Sequence, residues 1–255
     1  MRISEARFEQ APELRGPCAF FLDIDGTLVE IADHPAHTRV DGDLVGLLRT
    51  VGRAAGGALA LISGRPIADI DRLLSDSGFC VAGQHGAERR DFSGKIHRRE
   101  VPRAALEEAR RRLGLLAARH PALVLEDKGV NFALHFRSVP ELGAEAEDTV
   151  HRLAREFGGE FEVQLGKMLV ELKPTGKDKG VAISEFLAET PFRGRTPIFF
   201  GDDLTDEAGF QLINRAGGHS VKVGEGESAA RWRLPDSAAV RAWLANFLAR
   251  SGGSA

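Results

Sequence analysis

Two short, wholly apolar runs each end at a cluster of carboxylates, and this pattern restricts the fold more than any other feature of the chain. Cys18–Leu22 is followed at once by Asp23-Ile24-Asp25-Gly26-Thr27, and residues 198–200 by Gly201-Asp202-Asp203. A short apolar run without polar alternation belongs to a strand buried on both faces, as in a parallel sheet with helices on each side. Residues 58–62 form another such run. Between it and Cys18–Leu22, the residues Leu44, Val45, Leu47, Leu48 and Val51 line one side of a helix. Strand, helix and strand at this spacing predict a βαβ crossover.

A second helix is expected to open at Ser63-Gly64-Arg65-Pro66, where Pro66 suits the first turn, with Ile67, Ile70, Leu73 and Leu74 at helical period. Residues 79–82 read as a buried strand, and Asp91-Phe92-Ser93-Gly94-Lys95 as a hairpin turn. From Pro102 the texture changes. An amphipathic helix over 103–119 precedes strands 122–126 and 131–136, then a helix over 141–157 and strands 161–165 and 168–172 paired about Gly166-Lys167. This αββαββ order predicts a small antiparallel sheet carrying two helices. At Pro174-Thr175-Gly176 the chain returns to alternation: helix 179–188, strand 197–200, helix 206–214, strand 220–223 and a last helix over 238–249, with 251–255 a frayed tail. The expected fold is α/β, a Rossmann-like parallel-sheet core in two parts (1–102 and 174–255) interrupted by an inserted α+β cap domain (103–173).

Composition narrows the partners. The 34 basic residues against 37 acidic ones give a formal charge of -3, which leaves no basic footprint for nucleic acid. Arg110-Arg111-Arg112 reads as the wet face of a helix. The two cysteines, Cys18 and Cys80, each fall inside an apolar run, so no disulfide framework is expected and a reducing cytoplasm fits. No signal peptide is expected, since Glu5, Glu9 and Glu13 interrupt the N-terminal segment. No apolar run approaches the roughly 20 residues that span a bilayer. His34 and His37 flank Pro35 in a loop and read as solvated.

The carboxylates carry the chemistry. In open parallel sheets, ligands bind beyond the carboxyl ends of the strands, where both acidic clusters fall. Taken alone, Asp23 to Thr27 is equally a strand followed by a polar turn. Asp206 and Glu207 also suit a helix start. Asp202 and Asp203, however, are adjacent carboxylates near a second acidic strand end and repel unless a cation sits among them. An oxygen-only site fits Mg2+. Ser63-Gly64-Arg65 lies between a strand and a helix, where Ser63 serves either as an ordinary N-cap or as a phosphate ligand beside free backbone N–H groups. Lys177 and Lys179 open another helix, where the dipole disfavours cations, so an anionic partner is expected. A P-loop does not account for them, because Glu171 and Asp178 stand where it needs Gly and Ser or Thr. Together the pieces make a phosphoryl-transfer site. Asp23 attacks phosphorus, and a lysine and Mg2+ offset the charge. Asp25 protonates the leaving sugar oxygen, then acts as base toward water.

The four motifs Asp23-Ile24-Asp25-Gly26-Thr27, Ser63-Gly64-Arg65, Lys179-Gly180 and Gly201-Asp202-Asp203 resemble those of the haloacid-dehalogenase-type phosphatases. Within them the chain is similar to the trehalose-6-phosphate phosphatases, over about residues 18–247. That narrower likeness rests on Gly83-Gln84-His85-Gly86-Ala87-Glu88, Leu125-Glu126-Asp127-Lys128, His135-Phe136-Arg137, Glu171-Leu172-Lys173-Pro174 with Gly176, and Asp203-Leu204-Thr205-Asp206-Glu207. The resemblance implies Mg2+ held by Asp23, the backbone oxygen of Asp25 and Asp202, supported by Asp203 and Asp206, with Asp203 orienting Lys179. It implies phosphate held by Ser63, Gly64, Arg65 and Lys179, and sugar hydroxyls bound by His85, Glu126, Lys128 and Glu171. Without it, Glu126 and Lys128 are equally an exposed ion pair. Phe136 stands where the family often has tyrosine, and the chain has no Tyr; Ile24 replaces a frequent aromatic residue. The implied activity is hydrolysis of trehalose 6-phosphate by a cytoplasmic monomer, its partner a small-molecule sugar phosphate rather than nucleic acid or membrane. A phosphatase of the sucrose-phosphate or mannosyl-3-phosphoglycerate type, or a phosphomannomutase-like isomerase, stays open.

Overall fold

A computed structural model describes residues 12, 14, 16–31, 37–75, 78–166 and 168–251 of the chain. The expectations for Glu5, Glu9, Glu13, His34, Pro35, Lys167 and residues 252–255 lie outside these. Two compact units are present: one from the described residues of Met1–His97 and Asp178–Ala255, the other Arg98–Lys177. The boundaries read from the sequence fall a few residues inside the second unit.

The first unit contains β1 (Cys18–Leu22), α1 (Gly42–Ala54), β2 (Leu59–Ile62), α2 (Ile67–Leu73), β3 (Cys80–Gly83) and β4 (Glu88–Arg90). It resumes after the second unit with α5 (Lys179–Leu187), β10 (Thr196–Gly201), α6 (Glu207–Arg215), β11 (His219–Val223), β12 (Trp232–Leu234) and α7 (Ser237–Ser251). With β5 (Ile96–Arg98) at one edge, the sheet order is β12-β11-β10-β1-β2-β3-β4-β5. It is parallel from β12 to β3, and β4 is antiparallel to β3. Adjacent residues of β1 show why the run is apolar throughout. Phe20 meets Trp243 and Phe247 of α7, whereas Phe21 points the other way onto Phe186 and Phe192. Both faces are covered, so neither position tolerates a polar residue. Helix α1 is capped by Asp41, whose side chain accepts from Leu44 N at 2.7 Å, and it buries Leu44, Leu48 and Val51 along one stripe.

The second unit contains α3 (Arg103–Arg119), β6 (Val124–Asp127), β7 (Phe132–His135), α4 (Gly143–Glu156), β8 (Phe161–Gly166) and β9 (Leu169–Pro174). Its sheet order is β6-β7-β9-β8, with every pair antiparallel. Phe132, Leu134, Val170 and Leu172 from the sheet share a buried cluster with Leu113, Leu116, Val150 and Leu153 from the helices. The intervening strand residues face away from that core. The arginines of α3 lie against carboxylates: Arg110 on Asp127, Arg111 on Glu108 and Arg112 on Glu156.

Sequence and structure differ chiefly in small elements. Strand β12 was not foreseen, since Trp232-Arg233-Leu234 is too short to show a period. The helices expected at 141 and 206 open with separate 3-10 turns, Pro140–Leu142 and Leu204–Asp206. Cys18 and Cys80 are buried free thiols.

Leu134 is wholly buried in the second unit's cluster. Leu134→Ala is expected to destabilise that unit by about 2–5 kcal/mol, through lost burial and the cavity left behind. Urea denaturation followed by circular dichroism measures the change.

Candidate active site

Strands β10, β1 and β2 are parallel neighbours, so their carboxyl ends share one edge of the sheet. Leu22 pairs with Phe200, and Asp23 N donates to Phe200 O at 3.0 Å. Asp23 therefore leaves β1 level with the turn carrying Asp202. Between them lies Gly26, with φ +85°; a Cβ there would stand 2.1 Å from Asp202 Oδ2. Only glycine meets both the left-handed turn and the approach of the carboxylate. Thr27 Oγ1 donates to Asp202 Oδ1 at 3.4 Å.

Lys179 arrives on the first turn of α5, whose N-cap Asp178 accepts from Val181 N at 2.7 Å. Helix α5 approaches α6 closely at Gly180, where a Cβ would come 2.7 Å from Ala208 O. The buried Lys179 Nζ donates to Asp23 Oδ1 at 2.8 Å and to Asp206 Oδ1 at 2.5 Å. Asp206 Oδ2 accepts from Asp202 N and Asp203 N, each at 2.9 Å. Asp203 turns instead to Leu204 N at 2.7 Å. The contact that orients Lys179 thus comes from Asp206, and the assignment to Asp203 is corrected: Asp203 sits at the N-cap of a 3-10 turn, while Asp206 closes that turn and points inward.

Among the described residues, Asp23, Asp202 and Asp206 form one cluster, with ligand-capable oxygens within 4.8 Å of one another. Its electrostatics register a shortage of positive charge. Burial pushes the Asp23 carboxyl well above its ordinary pKa, Lys179 opposes this, and Asp206 and Asp202 add to it. Asp202 rises to about 6, first through burial and then through Asp206. Burial works against the Lys179 ammonium, but Asp206 and Asp23 outweigh it and raise its pKa.

The carboxylate of Asp25 lies outside this cluster. It is gripped by Arg65, with Nε to Oδ2 at 2.6 Å and Nη2 to Oδ1 at 2.7 Å. Arg65, expected at the phosphate, places its guanidinium on Asp25. Ser63 is buried just after β2, and its Oγ accepts from Arg65 N at 3.1 Å in a local turn. It does not cap α2, which opens at Ile67 with Pro66 at its N-cap, so the helix expected from Ser63 starts later and the N-cap reading is corrected. His85, at φ +56°, donates its N–H to Ser63 O at 3.0 Å. A Cβ on Gly64 would lie 2.8 Å from His85 Cε1 and Nε2, so the imidazole covers the Ser63-Gly64-Arg65 loop. Glu88 Oε1 accepts from Ile67 N at 2.6 Å, bracing the same loop.

In the second unit, register aligns Glu126, Ala133, Glu171 and Gln164 in one row across the sheet, on the face opposite the apolar cluster. Lys128 Nζ donates to Glu171 Oε1 at 2.5 Å and lies 3.8 Å from Glu126 Oε2. His135 Nε2 is 2.9 Å from Glu126 Oε2. Glu126, Lys128 and Glu171 are thus brought together.

Sequence reading missed Lys222 and Thr38. Lys222 Nζ donates to Asp202 O and Val223 O; a lysine inside the otherwise buried strand Ser220-Val221-Lys222-Val223 was the available signal. Thr38 bonds Arg65 and Asp25 from an irregular loop that carries no periodic or motif signal.

A parallel sheet with carboxylates and a lysine at its carboxyl edge, in a chain with an inserted α+β unit, has the haloacid-dehalogenase-type fold of its solved neighbours. The trehalose-phosphatase family profile matches residues 21–238, and the chain belongs to that family. It is 44% identical over 238 residues to the trehalose-6-phosphate phosphatase of Escherichia coli K12, covering 92% of this chain and 88% of that protein. A probable trehalose-phosphate phosphatase of Sinorhizobium fredii is 39% identical, with 89% and 86% covered. The crystal structure of a trehalose-6-phosphate phosphatase related protein aligns with a TM-score of 0.78 at 26% identity, over 93% of this chain and 100% of that one.

Gly26→Ala is expected to lower phosphatase turnover at least ~100-fold, since the added carbon displaces the Asp202 carboxylate by an ångström or more. Steady-state phosphate release, with circular dichroism as a check on folding, measures it.

Proposed function

We propose that this chain is a Mg2+-dependent phosphomonoesterase that hydrolyses trehalose 6-phosphate to trehalose and inorganic phosphate through an aspartyl-phosphate on Asp23. The observation that carries the reading is the buried Lys179 held against Asp23 and Asp206 beside Asp202. Family membership and the likeness to the Escherichia coli phosphatase support the substrate.

The donor set fits a hard divalent cation: it is all oxygen, crowded, and short of countercharge. Asp23, Asp202 and the backbone oxygen of Asp25 would hold the ion. Both oxygens of Asp206 already accept hydrogen bonds, which suits it to supporting the site. When bound, Mg2+ supplies the positive charge that lets an anionic nucleophile meet an anionic phosphate.

Lys179 provides fixed charge on the protein side and keeps Asp23 oriented. Attack by Asp23 forms the acyl phosphate, while Asp25 gives its proton to the departing sugar oxygen. Asp25 then takes a proton from the water that attacks phosphorus, and phosphate leaves Asp23. Ser63 and the backbone of Gly64 and Arg65 hold phosphate oxygens. Within the inserted unit, the Glu126, Lys128 and Glu171 cluster is the group suited to sugar hydroxyls. No helix among the described residues is long and apolar enough to cross a membrane; together with the two buried free thiols, this favours a cytoplasmic enzyme, which we take to act as a monomer.

Purified protein with Mg2+ is expected to release phosphate from trehalose 6-phosphate in preference to sucrose and mannosyl-phosphoglycerate phosphates. Turnover confined to one of the others rejects the substrate. Chelation with EDTA is expected to abolish turnover, and added Mg2+ to restore it. Asp23→Asn is expected to cost at least ~1000-fold in kcat, with the melting temperature kept or raised as like charge is removed from the cluster; a near-normal rate removes Asp23 from its role.

A further inference from the structure

We propose that His135 is a positioning residue for sugar recognition: its imidazole holds one carboxylate oxygen of Glu126, so that the other is presented to a sugar hydroxyl. The inference rests on the reading, given above, that the cluster of Glu126, Lys128 and Glu171 suits sugar hydroxyls.

Register places the two side chains. Val124 pairs with His135 and Glu126 with Ala133, so His135 and Glu126 are diagonal neighbours on the antiparallel strands β6 and β7. Residues so related share a face and lie about 7–8 Å apart at the backbone, a gap that an imidazole and a glutamate close between them. Phe132 and Leu134 sit in the buried cluster on the opposite face, which fixes β7 and with it the ring. His135 Nε2 lies 2.9 Å from Glu126 Oε2. Burial acts to raise the Glu126 pKa, but the His135 hydrogen bond and the Lys128 charge outweigh it and lower it overall. The group is thus an ionised acceptor, and the ring nitrogen facing it carries a proton and donates.

The two oxygens of Glu126 differ in what surrounds them. Lys128 Nζ stands 3.8 Å from Oε2, beyond hydrogen-bond length, and makes its close contact with Glu171 Oε1 at 2.5 Å. Both basic neighbours therefore approach Oε2, and among the described residues no donor bonds Oε1. That oxygen belongs to a side chain 30% exposed, so a hydroxyl can reach it. A glutamate turns about three side-chain torsions, and tethering Oε2 sets them before a ligand arrives. An acceptor ordered in advance binds better than a mobile one, because binding no longer has to order it. Without the ring, the carboxylate can swing onto the Lys128 ammonium, which takes an acceptor and a donor away from the sugar together.

A contact that only stabilises the unit and one that positions Glu126 differ in what their loss does to kinetics. With the full chain, Mg2+ and trehalose 6-phosphate, His135→Ala is expected to lower kcat/KM about five- to tenfold. The inhibition constant of inorganic phosphate, which carries no sugar hydroxyl, is expected to change less than about twofold. His135→Gln, whose amide nitrogen donates from nearly the same place, is expected to stay within about threefold of wild type. Glu126→Ala is expected to cost about 30-fold or more. Adding His135→Ala to it is expected to cost less than about twofold further, since a residue that acts through Glu126 then has nothing to position. Losses that multiply in the double variant, an equal weakening of phosphate inhibition, a glutamine variant as poor as alanine, or no loss in His135→Ala each overturn the proposal. His135→Leu, which fills the space of the ring without a donor, replaces alanine under the same criteria if circular dichroism shows misfolding. A Glu126→Ala variant that matches wild type rejects the sugar reading of the cluster and His135 with it. A loss in Glu126→Ala without one in His135→Ala rejects His135 alone. If the wild type cleaves another sugar phosphate instead, the substrate reading falls and the same comparison is made on that ester; an enzyme that cleaves none overturns both.

Discussion

One buried ammonium, Lys179, against the carboxylates of Asp23 and Asp206 holds together three segments distant in sequence: the end of β1, the start of α5 and the turn before α6. Removing a charged group from water costs several kcal/mol, so such a contact persists only where its geometry is complete. Here it is complete because each partner is fixed by something else. Register with β10 sets Asp23. The close packing of α5 on α6 at Gly180 brings Lys179 and Asp206 within reach. Asp206 is locked by two backbone N–H groups.

The turn that carries Asp202 is held from both ends of its polarity. Its N–H groups are taken by Asp206, and the carbonyl of Asp202 is taken by Lys222 from β11. The carboxylate itself is left to face Asp23, with Thr27 its one short-range donor among the hydrogen bonds described. Fixing a ligand through its main chain lets the side chain remain acceptor-rich, which a cation site requires. The raised pKa values of Asp23 and Asp202 belong to the same arrangement: carboxylates pressed together by the backbone hold fewer protons only when a cation compensates them.

How much of this could be read in advance depended on whether a residue acts through a local pattern or through a distant contact. The strands Cys18–Leu22 and Leu59–Ile62 were legible because two covered faces leave no room for polar residues, and the helix Arg103–Arg119 because its period is regular. The acidic clusters stood out because Asp202 and Asp203 are adjacent carboxylates near a second acidic strand end, which repel unless a cation sits among them. Asp203 and Asp206 were harder to separate. Both lie in one 3-10 turn, and which of them points inward is decided by rotation within the turn, not by composition. Arg65 was read as a phosphate ligand from its motif, yet its guanidinium lies on Asp25 together with Thr38; Thr38 carries no signal, since a threonine in an irregular loop has no period to break. The trio of Glu126, Lys128 and Glu171 became a cluster only through antiparallel register.

That register also separates the inserted unit's polar row from its apolar cluster. Along a strand with one face against helices, successive residues point to opposite faces. Glu126, Ala133, Glu171 and Gln164 form such a row, while Phe132, Leu134, Val170 and Leu172 between them hold the unit together. Ala133 and Glu171 of that row are buried as well, and Glu171 carries the Lys128 ammonium. In the core unit Asp23, Gly26 and Lys179 are likewise confined, by backbone approach or by a buried charge. In each unit, then, the polar residues are placed by the backbone around them: by main-chain approach and a buried ammonium in one, by antiparallel register and the Lys128–Glu171 pair in the other.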